Sequence, residues 1–329
     1  MKKINLGQNG PVVSAVGYGA MSFTDFYGPA DDSESAGILD ACCELGITHI
    51  DTADAYGMGR SETVIGDWLK GRKGEKPFTI ATKVGITRDP DHRFNNSPTH
   101  LVESLDASLK RLGVDAIDLY YVHRRDTRHE IEEVTETMAG FVKAGKVKAI
   151  GFSEIAPSSL RRAHAIHPIA AVQSEYSLST RAPELGLIQT CKEIGATLVA
   201  FSPVGRSLLT DRPHDRAAVE AMPFMVNNPR FMEPNLSKNL DYNAKFRVLA
   251  ADFGVPAATL AIAWVLHQGD HILAIPGTRN QLHLEEVARG GTFELSDSDL
   301  AQIEAILPVG WAHGDRYNET QWKGPERYS

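Results

Sequence analysis

The chain contains little cysteine, no long apolar run and no block of basic residues. Its three cysteines are Cys42, Cys43 and Cys191. Neighbours in sequence rarely form a disulfide and an odd number leaves one thiol over, so we expect free thiols. The longest apolar helical stretch, around Ala257–Leu266, is too short to cross a bilayer. The net charge is −8 and no Lys/Arg-rich segment is present, which argues against a nucleic-acid partner.

The N-terminal residues also lack the apolar core of a secretion signal. Met1–Gly7 holds two lysines but no apolar run. Because free thiols suit a reducing compartment, we expect a cytoplasmic protein with no membrane partner. The sequence leaves the oligomeric state open.

Short apolar runs alternate with helical patterns along most of the chain. We predict eight strands at about Ala15–Gly19, Thr48–Asp51, Thr79–Lys83, Ile117–His123, Ala149–Ser153, Ala171–Glu175, Thr197–Ser202 and His271–Pro276. The predicted helices are Ser33–Leu45, Ser61–Leu69, Pro98–Leu112, Ile131–Ala144, Pro157–His167, Pro183–Glu193, Ser237–Phe253, Pro256–Gln268 and Gln281–Arg289. Such alternation indicates a parallel sheet, and eight strands favour a closed (β/α)8 TIM barrel. An open doubly wound sheet is the alternative.

Three further segments frame this predicted barrel. Asn9-Gly10 lies between apolar residues near the start and predicts an N-terminal β-hairpin. Pro203–Pro234 forms a long loop after strand 7, and a loop of this length is usually functional or mobile. A C-terminal tail spans about 308–329. With 42% hydrophobic residues, we expect a single domain over residues 1–329.

Ionisable side chains mark the ends of the second, third and fourth predicted strands. Asp51, Lys83 and His123 each lie where a strand stops, and Tyr56 lies in the loop after Asp51. In a barrel of this type the reacting residues come from the C-terminal strand ends, so we expect all four to meet at one mouth. Taken singly, each also has an ordinary interpretation as a turn former, a loop charge or a buried histidine.

Together the four residues suit the delivery of a proton to a carbonyl group. A tyrosine hydroxyl has a pKa of about 10, and we expect an adjacent lysine ammonium to lower it. Asp51 would keep Lys83 charged, and His123 would donate a hydrogen bond to the carbonyl oxygen. The carbonyl carbon needs a hydride, which no side chain supplies, so a nicotinamide cofactor is implied.

Two strand ends could bind the phosphates of such a cofactor. Ile275–Asn280 leaves the eighth strand for a helix start, where backbone amides attract phosphate and Arg279 can bind a 2′-phosphate. Phe201–Arg206, after the seventh strand, is small and open enough for a pyrophosphate. The alternative is two ordinary loops with a surface arginine. The segment Gly17–Ser22 resembles a dinucleotide fingerprint, but we predict a loop rather than a helix after it, so it fails that test.

A metal centre is the rival use of a barrel mouth. His49 and Asp51 lie two residues apart on a strand and point to the same side. No second pair of ligands follows at other strand ends, so we predict no bound metal, and a metal-dependent hydrolase is the weakest alternative.

With these residues identified, the chain resembles the aldo-keto reductase family from the hairpin to about Arg289. The motifs that carry the resemblance are Asp51–Gly57, Gly59–Glu62, Ala81–Lys83, Asp118–His123, Gly151–Glu154, Val172–Ser177 and Ile275–Arg279. The resemblance implies a (β/α)8 barrel that reduces aldehydes or ketones and binds NADPH, with NADH less suitable, without a Rossmann domain. It implies a catalytic tetrad of Asp51, Tyr56, Lys83 and His123, with Tyr56 as the proton donor.

The resemblance also implies roles for individual cofactor-binding residues. They are Ser153 and Gln173 for the carboxamide, Phe201 for stacking on the nicotinamide ring, Ser202, Val204 and Gly205 for the pyrophosphate, Thr278 and Arg279 for the 2′-phosphate, and Glu286 for the adenine. The other candidates at the cavity mouth are Met21, Asp51, Pro203, Arg206, Ile275, Gly277, Gln281 and Glu285.

Four positions depart from the family pattern. Glu154 stands where many members have Asn, and Phe201 replaces a common Tyr. His283 and Val287 stand where many relatives carry Arg and Asn. Each change removes a polar contact expected with the cofactor, so the strength of the preference for NADPH is left open.

The substrate is the property that the sequence specifies least. Loop position alone makes candidate pocket walls of Phe23, Phe26, Tyr27, Arg124, Phe224, Met225 and the tail from Trp311 to Trp322. Such aromatic residues suit apolar or aromatic carbonyl compounds. The resemblance extends to potassium-channel β subunits, barrels that bind NADPH and act mainly as regulatory partners, so a slow redox-sensing subunit is the alternative function.

Overall fold

The computed structural model describes residues 1–72, 74–89 and 91–327, so residues 328 and 329 of the predicted tail lie outside it. The strands are β1 (Lys3–Asn5), β2 (Val12–Ser14), β3 (Tyr18–Gly19), β4 (His49–Asp51), β5 (Thr79–Val84), β6 (Leu119–Val122), β7 (Ile150–Ser153), β8 (Ala171–Glu175), β9 (Thr197–Phe201) and β10 (Ile272–Ile275). The α-helices are α1 (Asp32–Glu44), α2 (Arg60–Lys70), α3 (Pro98–Leu112), α4 (Ile131–Lys143), α5 (Pro157–Ile166), α6 (Leu187–Ile194), α7 (Arg216–Glu220), α8 (Asn235–Asp252), α9 (Ala257–His267), α10 (Gln281–Arg289) and α11 (Asp297–Ile306).

Strands β3 to β10 are parallel and follow one another in sequence order across one sheet. The sheet closes between its first and last strands, where Val16 pairs with Ala274. The backbone amides of Gly17 and Gly19 donate to the carbonyl oxygens of Ala274 (2.8 Å) and Pro276 (2.9 Å). These bonds join the two edges that an open doubly wound sheet would leave apart. The predicted (β/α)8 barrel is therefore confirmed.

The seam between β3 and β10 requires glycine. A Cβ atom added to Gly277 would collide with the carbonyl oxygen of Gly19. The predicted loop after Gly17–Ser22 is confirmed, because Thr24–Pro29 contains no helix, and the structure adds only a turn of 3₁₀ helix at Ala20–Phe23. This single turn is too short for the helix of a dinucleotide fingerprint, so the glycines serve barrel closure instead.

The N-terminal hairpin is confirmed and covers the N-terminal end of the barrel. β1 pairs with β2 in antiparallel register, with Ile4 opposite Val13. The loop comprises residues 6–11, so Asn9-Gly10 lies within a longer connection. The amide of Gly7 donates to Oγ1 of Thr197, the first residue of β9, at 2.8 Å. The open end of the barrel is therefore the one at which the strands finish.

Most predicted helices agree with the structure to within two residues. The predicted helix Pro183–Glu193 is wrong at its start, because a 3₁₀ turn at Ala182–Glu184 ends before Gly186, whose φ is 117°. Two helices were not predicted, α7 in the long loop after β9 and α11 after α10. The second carries a sequence signal, since Ser296 and Asp299 form a capping box.

The apolar core fills the barrel and the layer between the strands and the helices. α9 is the most enclosed helix, with every residue from Ala257 to Leu266 buried. The long loop after β9 has a smaller core of its own, formed by Leu208, Val219, Met222, Met225, Phe231 and Leu236.

Within the described ranges no single helix is long and apolar enough to cross a membrane, and only α8 with α9, bent by 87°, meets that test as a pair. The three cysteines are free.

Candidate active site

The four predicted catalytic residues meet at the open end of the barrel. Asp51 ends β4, Lys83 lies near the end of β5, and His123 follows β6 directly. The Lys83 ammonium donates hydrogen bonds to Oδ1 of Asp51, to the carbonyl oxygen of Thr52 (2.8 Å) and to the hydroxyl of Tyr56 (3.3 Å). The rings of Tyr56 and His123 lie edge to face with their centres 5.7 Å apart. Parallel strands bring these side chains together because all their carboxyl ends lie on one side.

Lys83 is held as a buried cation. Its side chain is fully buried, which by itself lowers the pKa, but the charge of Asp51 opposes this and the pKa of Lys83 is raised overall. The second carboxylate oxygen of Asp51 accepts a hydrogen bond from Nε2 of Gln173 at 2.7 Å. A buried ion pair is stable only when its remaining hydrogen-bonding capacity is satisfied, and Gln173 contributes to that here.

The expected lowering of the pKa of Tyr56 is wrong in its net direction. Burial raises the pKa of Tyr56, and the neighbouring charge of Lys83 offsets only part of that increase, so the pKa lies above the usual tyrosine value. Asp51 contributes to the increase because its negative charge disfavours a nearby phenolate. The phenol is therefore protonated at neutral pH, which is the state that a proton donor requires.

His123 is neutral at the same mouth. Burial, together with the positive charges of Arg124 and Lys83, holds the pKa of His123 well below its usual value. Its Nδ1 atom has no hydrogen-bond partner among the residues that the structure describes. A neutral imidazole carries one N–H group and can donate it to a carbonyl oxygen without transferring the proton.

A cavity of about 690 Å³ runs from these residues across the barrel mouth. The predicted cofactor residues that line it are Met21, Asp51, Gln173, Phe201, Ser202, Pro203, Val204, Arg206, Ile275, Gly277, Thr278, Arg279 and Glu286. Four others do not line it, namely Ser153, Gly205, Gln281 and Glu285. Gln281 and Glu285 are exposed on α10, whereas Ser153 is buried and its hydroxyl accepts a hydrogen bond from Arg124 at 3.0 Å.

The loop after β9 has a strained backbone where it borders the cavity. Ser202, Arg206 and Ser207 have φ values of 49°, 54° and 80°, in the left-handed region that non-glycine residues avoid. Such strain persists only where the surrounding structure holds it, and it concentrates at ligand sites. Arg206 is held by Glu175, whose carboxylate lies 3.0 Å from its guanidinium. The chain thus presents a fixed cation beside the predicted pyrophosphate loop.

Arg279 joins the two sides of the cavity. Its guanidinium donates to the backbone carbonyl oxygens of Gly28 (2.7 Å) and Tyr27 (2.8 Å), in the loop after β3. In the same loop, the ring of Phe26 lies 4.9 Å from that of Phe224 in the long loop after β9. The loop after β3 therefore contacts both Arg279 and the long loop after β9.

Glu154, a departure from the family pattern, anchors the C-terminal tail. Its buried carboxylate forms an ion pair with Arg316, which also approaches Glu175 at 3.4 Å. Burial raises the pKa of Glu175, but the guanidinium groups of Arg206, Arg316 and Arg230 outweigh it and bring the pKa to about 2. Both carboxylates therefore stay charged and hold the tail and the long loop against β7 and β8.

Several cavity residues were not predicted, and some predicted walls are wrong. The missed charged residues are Arg93, Asp211, Arg212 and Lys323. Arg93 lies on the loop after β5, and Asp211, Arg212 and Lys323 lie far from the tetrad in sequence; no local pattern marks any of them. Among the expected walls, Phe26, Tyr27, Arg124 and Phe224 line the cavity, as does Tyr317 in the tail. Phe23, Met225 and Trp311 are instead buried in the apolar clusters, and Trp322 does not line the cavity.

No group of three or more His, Cys, Asp or Glu side chains could hold a metal within residues 1–72, 74–89 and 91–327. His49, considered above as a ligand, is fully buried inside the barrel. Burial lowers the pKa of His49 to about 4, and neither ring nitrogen has a partner in the same ranges.

Asp54, beside the tetrad, should make stability depend on pH. Burial and the nearby Glu62 carboxylate raise the pKa of Asp54 to about 7, from an ordinary 3.8. The folded protein thus holds a proton that the unfolded chain releases, so stability is lost as pH rises from about 4 to 7. We expect Asp54→Asn to raise the free energy of unfolding by about 1–2 kcal/mol more at pH 8 than at pH 5, measured by urea unfolding. Asp67→Asn, at an exposed position, is the control; an equal change at both pH values would contradict the assignment.

Comparisons with known proteins bear on the family and the fold. A family model described as the aldo/keto reductase family matches residues 15–308. The chain is 37% identical over 311 residues to an aldo-keto reductase of Schizosaccharomyces pombe whose name specifies NADP(+), with 93% of this chain and 92% of that protein covered. It is 39% identical over 323 residues to a probable aldo-keto reductase of Glycine max, with 96% and 92% covered. Among solved structures, a glycerol dehydrogenase of Gluconobacter oxydans is similar with a TM-score of 0.81 at 26% identity, covering 93% of this chain and 95% of that one.

Proposed function

The chain belongs to the aldo/keto reductase family of oxidoreductases, and from that premise we propose that it reduces an aldehyde or ketone with NADPH and that Tyr56 donates the proton. The observation that carries this proposal is the contact of a buried lysine ammonium with the Tyr56 hydroxyl at the end of a long cavity. The S. pombe relative is named for NADP(+), which supports the choice of cofactor.

The chain's own residues fit a phosphorylated dinucleotide. The cavity continues from Tyr56 past the strained loop after β9 to the start of α10. Arg206 and Arg279 line that end and would hold the pyrophosphate and the 2′-phosphate, because guanidinium groups bind phosphate bidentately. Gln173 and Phe201 line the middle and would contact the nicotinamide. Bound NADPH would supply the hydride that the carbonyl carbon accepts.

The tetrad would complete the reduction at the carbonyl oxygen. His123, neutral, would donate a hydrogen bond that fixes the carbonyl and stabilises the growing negative charge. Tyr56 would give its phenolic proton to that oxygen, and Lys83 would stabilise the phenolate that remains. Asp51 would hold Lys83 in its charged form. The pKa of Tyr56 is raised, so the phenol carries the proton that reduction requires at neutral pH.

Removal of the Arg279 guanidinium should discriminate between the two nicotinamide cofactors. We expect Arg279→Ala to raise the KM for NADPH about 10- to 100-fold and the KM for NADH only slightly, because one charged contact to the 2′-phosphate is lost. Steady-state kinetics with each cofactor measures this. Arg289→Ala, at the exposed C-terminal end of α10, the helix that follows Arg279, is the control.

The KM for NADH must be measured as well, because Arg279 also holds the loop after β3. If the arginine only anchors that loop, the KM for both cofactors should rise together, and the 2′-phosphate assignment would be withdrawn.

The function itself is tested by NADPH oxidation with a panel of aldehydes and ketones. Turnover on at least one member at or above about 1 s⁻¹, the lower end of ordinary enzymes, is the expected result. Tight NADPH binding with negligible turnover on the whole panel would overturn the proposal and favour the redox-sensing subunit.

A further inference from the structure

Three cations line the cavity in addition to the arginines assigned to the cofactor phosphates, namely Arg93, Arg124 and Lys323. Arg124 follows His123 directly, Arg93 lies on the loop after β5, and Lys323 lies in the tail that Arg93 contacts through Thr320, so we place them at the catalytic end. The arginines assigned to cofactor phosphates, Arg206 and Arg279, lie on the loops after β9 and β10 instead. The protein has a net charge of −8, so a cluster of cations in its cavity does not follow from composition.

Carboxylates that could neutralise these cations are absent from the cavity wall in the described ranges. Three acidic residues line the cavity, and Asp51 among them is paired with Lys83. Asp211 accepts a hydrogen bond from the amide of Ala257, at the start of α9, and Glu286 lies on α10. Neither is at the catalytic end.

Of these three cations, Arg124 is the one held against the backbone of His123. It follows His123 in sequence, and its Nη1 atom donates to the His123 carbonyl oxygen (2.7 Å) and to the hydroxyl of Ser153 (3.0 Å). These bonds hold one edge of the half-buried guanidinium. Among residues that the structure describes, no carboxylate forms an ion pair with it; the carboxylate of nearby Glu154 is paired with Arg316. The other nitrogens of Arg124 make no hydrogen bond within those residues.

The loop after β5, which also lines the cavity, is anchored to the tail. Arg93 donates to the carbonyl oxygen of Thr320 at 3.1 Å, so the loop after β5 is joined to the tail. Phe94 packs against the tail so closely that a Cβ on Gly324 would lie 2.6 Å from its ring. The catalytic end thus holds a fixed guanidinium next to His123 that no carboxylate pairs with among the described residues.

We propose, building on the function proposed above, that the substrate is a carbonyl compound bearing an anionic group, a carboxylate or a phosphate, which Arg124 binds while the carbonyl lies at Tyr56 and His123. A guanidinium with a free edge binds either anion bidentately. The attraction between a guanidinium and an anion is stronger in a partly desolvated cavity than in bulk water. Arg93 and Lys323, at the exposed rim, add attraction at longer range that salt weakens.

The test compares charged and neutral carbonyl substrates of matched shape with the full-length enzyme and NADPH. One pair is para-carboxybenzaldehyde and the methyl ester of the same aldehyde; the other is glyceraldehyde phosphate and glyceraldehyde. In at least one pair, kcat/KM for the charged member should be about 10- to 100-fold higher. A preference in the benzaldehyde pair indicates a carboxylate, and a preference in the glyceraldehyde pair indicates a phosphate.

Variants then test whether Arg124 is the cause. Arg124→Gln should lower the charged-to-neutral ratio of kcat/KM by at least about tenfold, mainly through KM, whereas Arg124→Lys should retain part of it. Arg128→Gln is the matched control, since Arg128 lies on the same loop, pairs with Asp126 and does not line the cavity.

Three outcomes would overturn the proposal, and they are distinguishable. Equal kcat/KM within both wild-type pairs would remove the anionic preference while leaving the reductase function standing. An equal loss on both members in Arg124→Gln would show that Arg124 only positions Ser153 and the His123 backbone. No reduction of any of the four compounds, together with an inactive aldehyde panel, would overturn the proposed function as well.

Discussion

Replacement of Tyr56 by Phe should lower kcat for carbonyl reduction by about 10²- to 10⁴-fold, the usual contribution of a positioned general acid. Phenylalanine keeps the ring that contacts His123 but removes the hydroxyl that lies 3.3 Å from the Lys83 ammonium. NADPH affinity should change little, because the arginines assigned to the phosphates are untouched. The measurements are single-turnover or steady-state kinetics for the chemistry and fluorescence titration for NADPH.

Tyr120→Phe is a matched control for this variant. Tyr120 is a fully buried barrel tyrosine whose hydroxyl has no hydrogen-bond partner in the described part of the chain, and it does not line the cavity. The control should retain kcat. A Tyr56→Phe enzyme with kcat close to that of the wild type would refute the proton-donor role, while the reductase assignment would survive with another donor.

Replacement of Lys83 by Met should have two large effects at once. The fully buried ammonium holds Asp51 and contacts Tyr56, so its loss leaves a buried carboxylate without its cation. We expect the free energy of unfolding to fall by about 3–5 kcal/mol, the usual result of removing one partner of a buried pair. We also expect kcat to fall by about 10²-fold or more, because the phenolate of Tyr56 loses the charge that stabilises it.

The two effects of Lys83→Met need separate readouts and a control. Urea unfolding measures the stability, and kcat is measured on the folded protein with saturating NADPH. Lys76→Met is a suitable control, since Lys76 pairs with the largely buried Asp118 outside the cavity. It should lose stability with little change in kcat. A folded Lys83→Met enzyme with kcat within about threefold of the wild type would exclude the charge of Lys83 from the mechanism.

Much of the fold can be predicted because its signals are local. Apolar runs of strand length, helical periodicity and the glycines between them depend on residues near one another in sequence, so all eight barrel strands were found at the correct places. The meeting of Asp51, Lys83 and His123 also follows, because the ends of parallel strands share one edge. Prediction failed at α7, which lies in the long loop, and at the helix predicted from Pro183, which breaks at Gly186. The helix α11 was also missed, although its capping box is a local signal.

What remained beyond sequence reasoning depends on burial and on contacts between distant segments. A neighbouring lysine suggests a more acidic Tyr56, yet desolvation of the phenolate outweighs the ammonium, and desolvation is set by the whole surrounding fold. From the sequence, Glu154 suggests only the loss of a cofactor contact, whereas in the fold its carboxylate forms an ion pair with Arg316 of the tail. The unpaired Arg124 became recognisable only once the loops around the mouth were in place, because no local pattern tells which carboxylates will come within reach of a guanidinium.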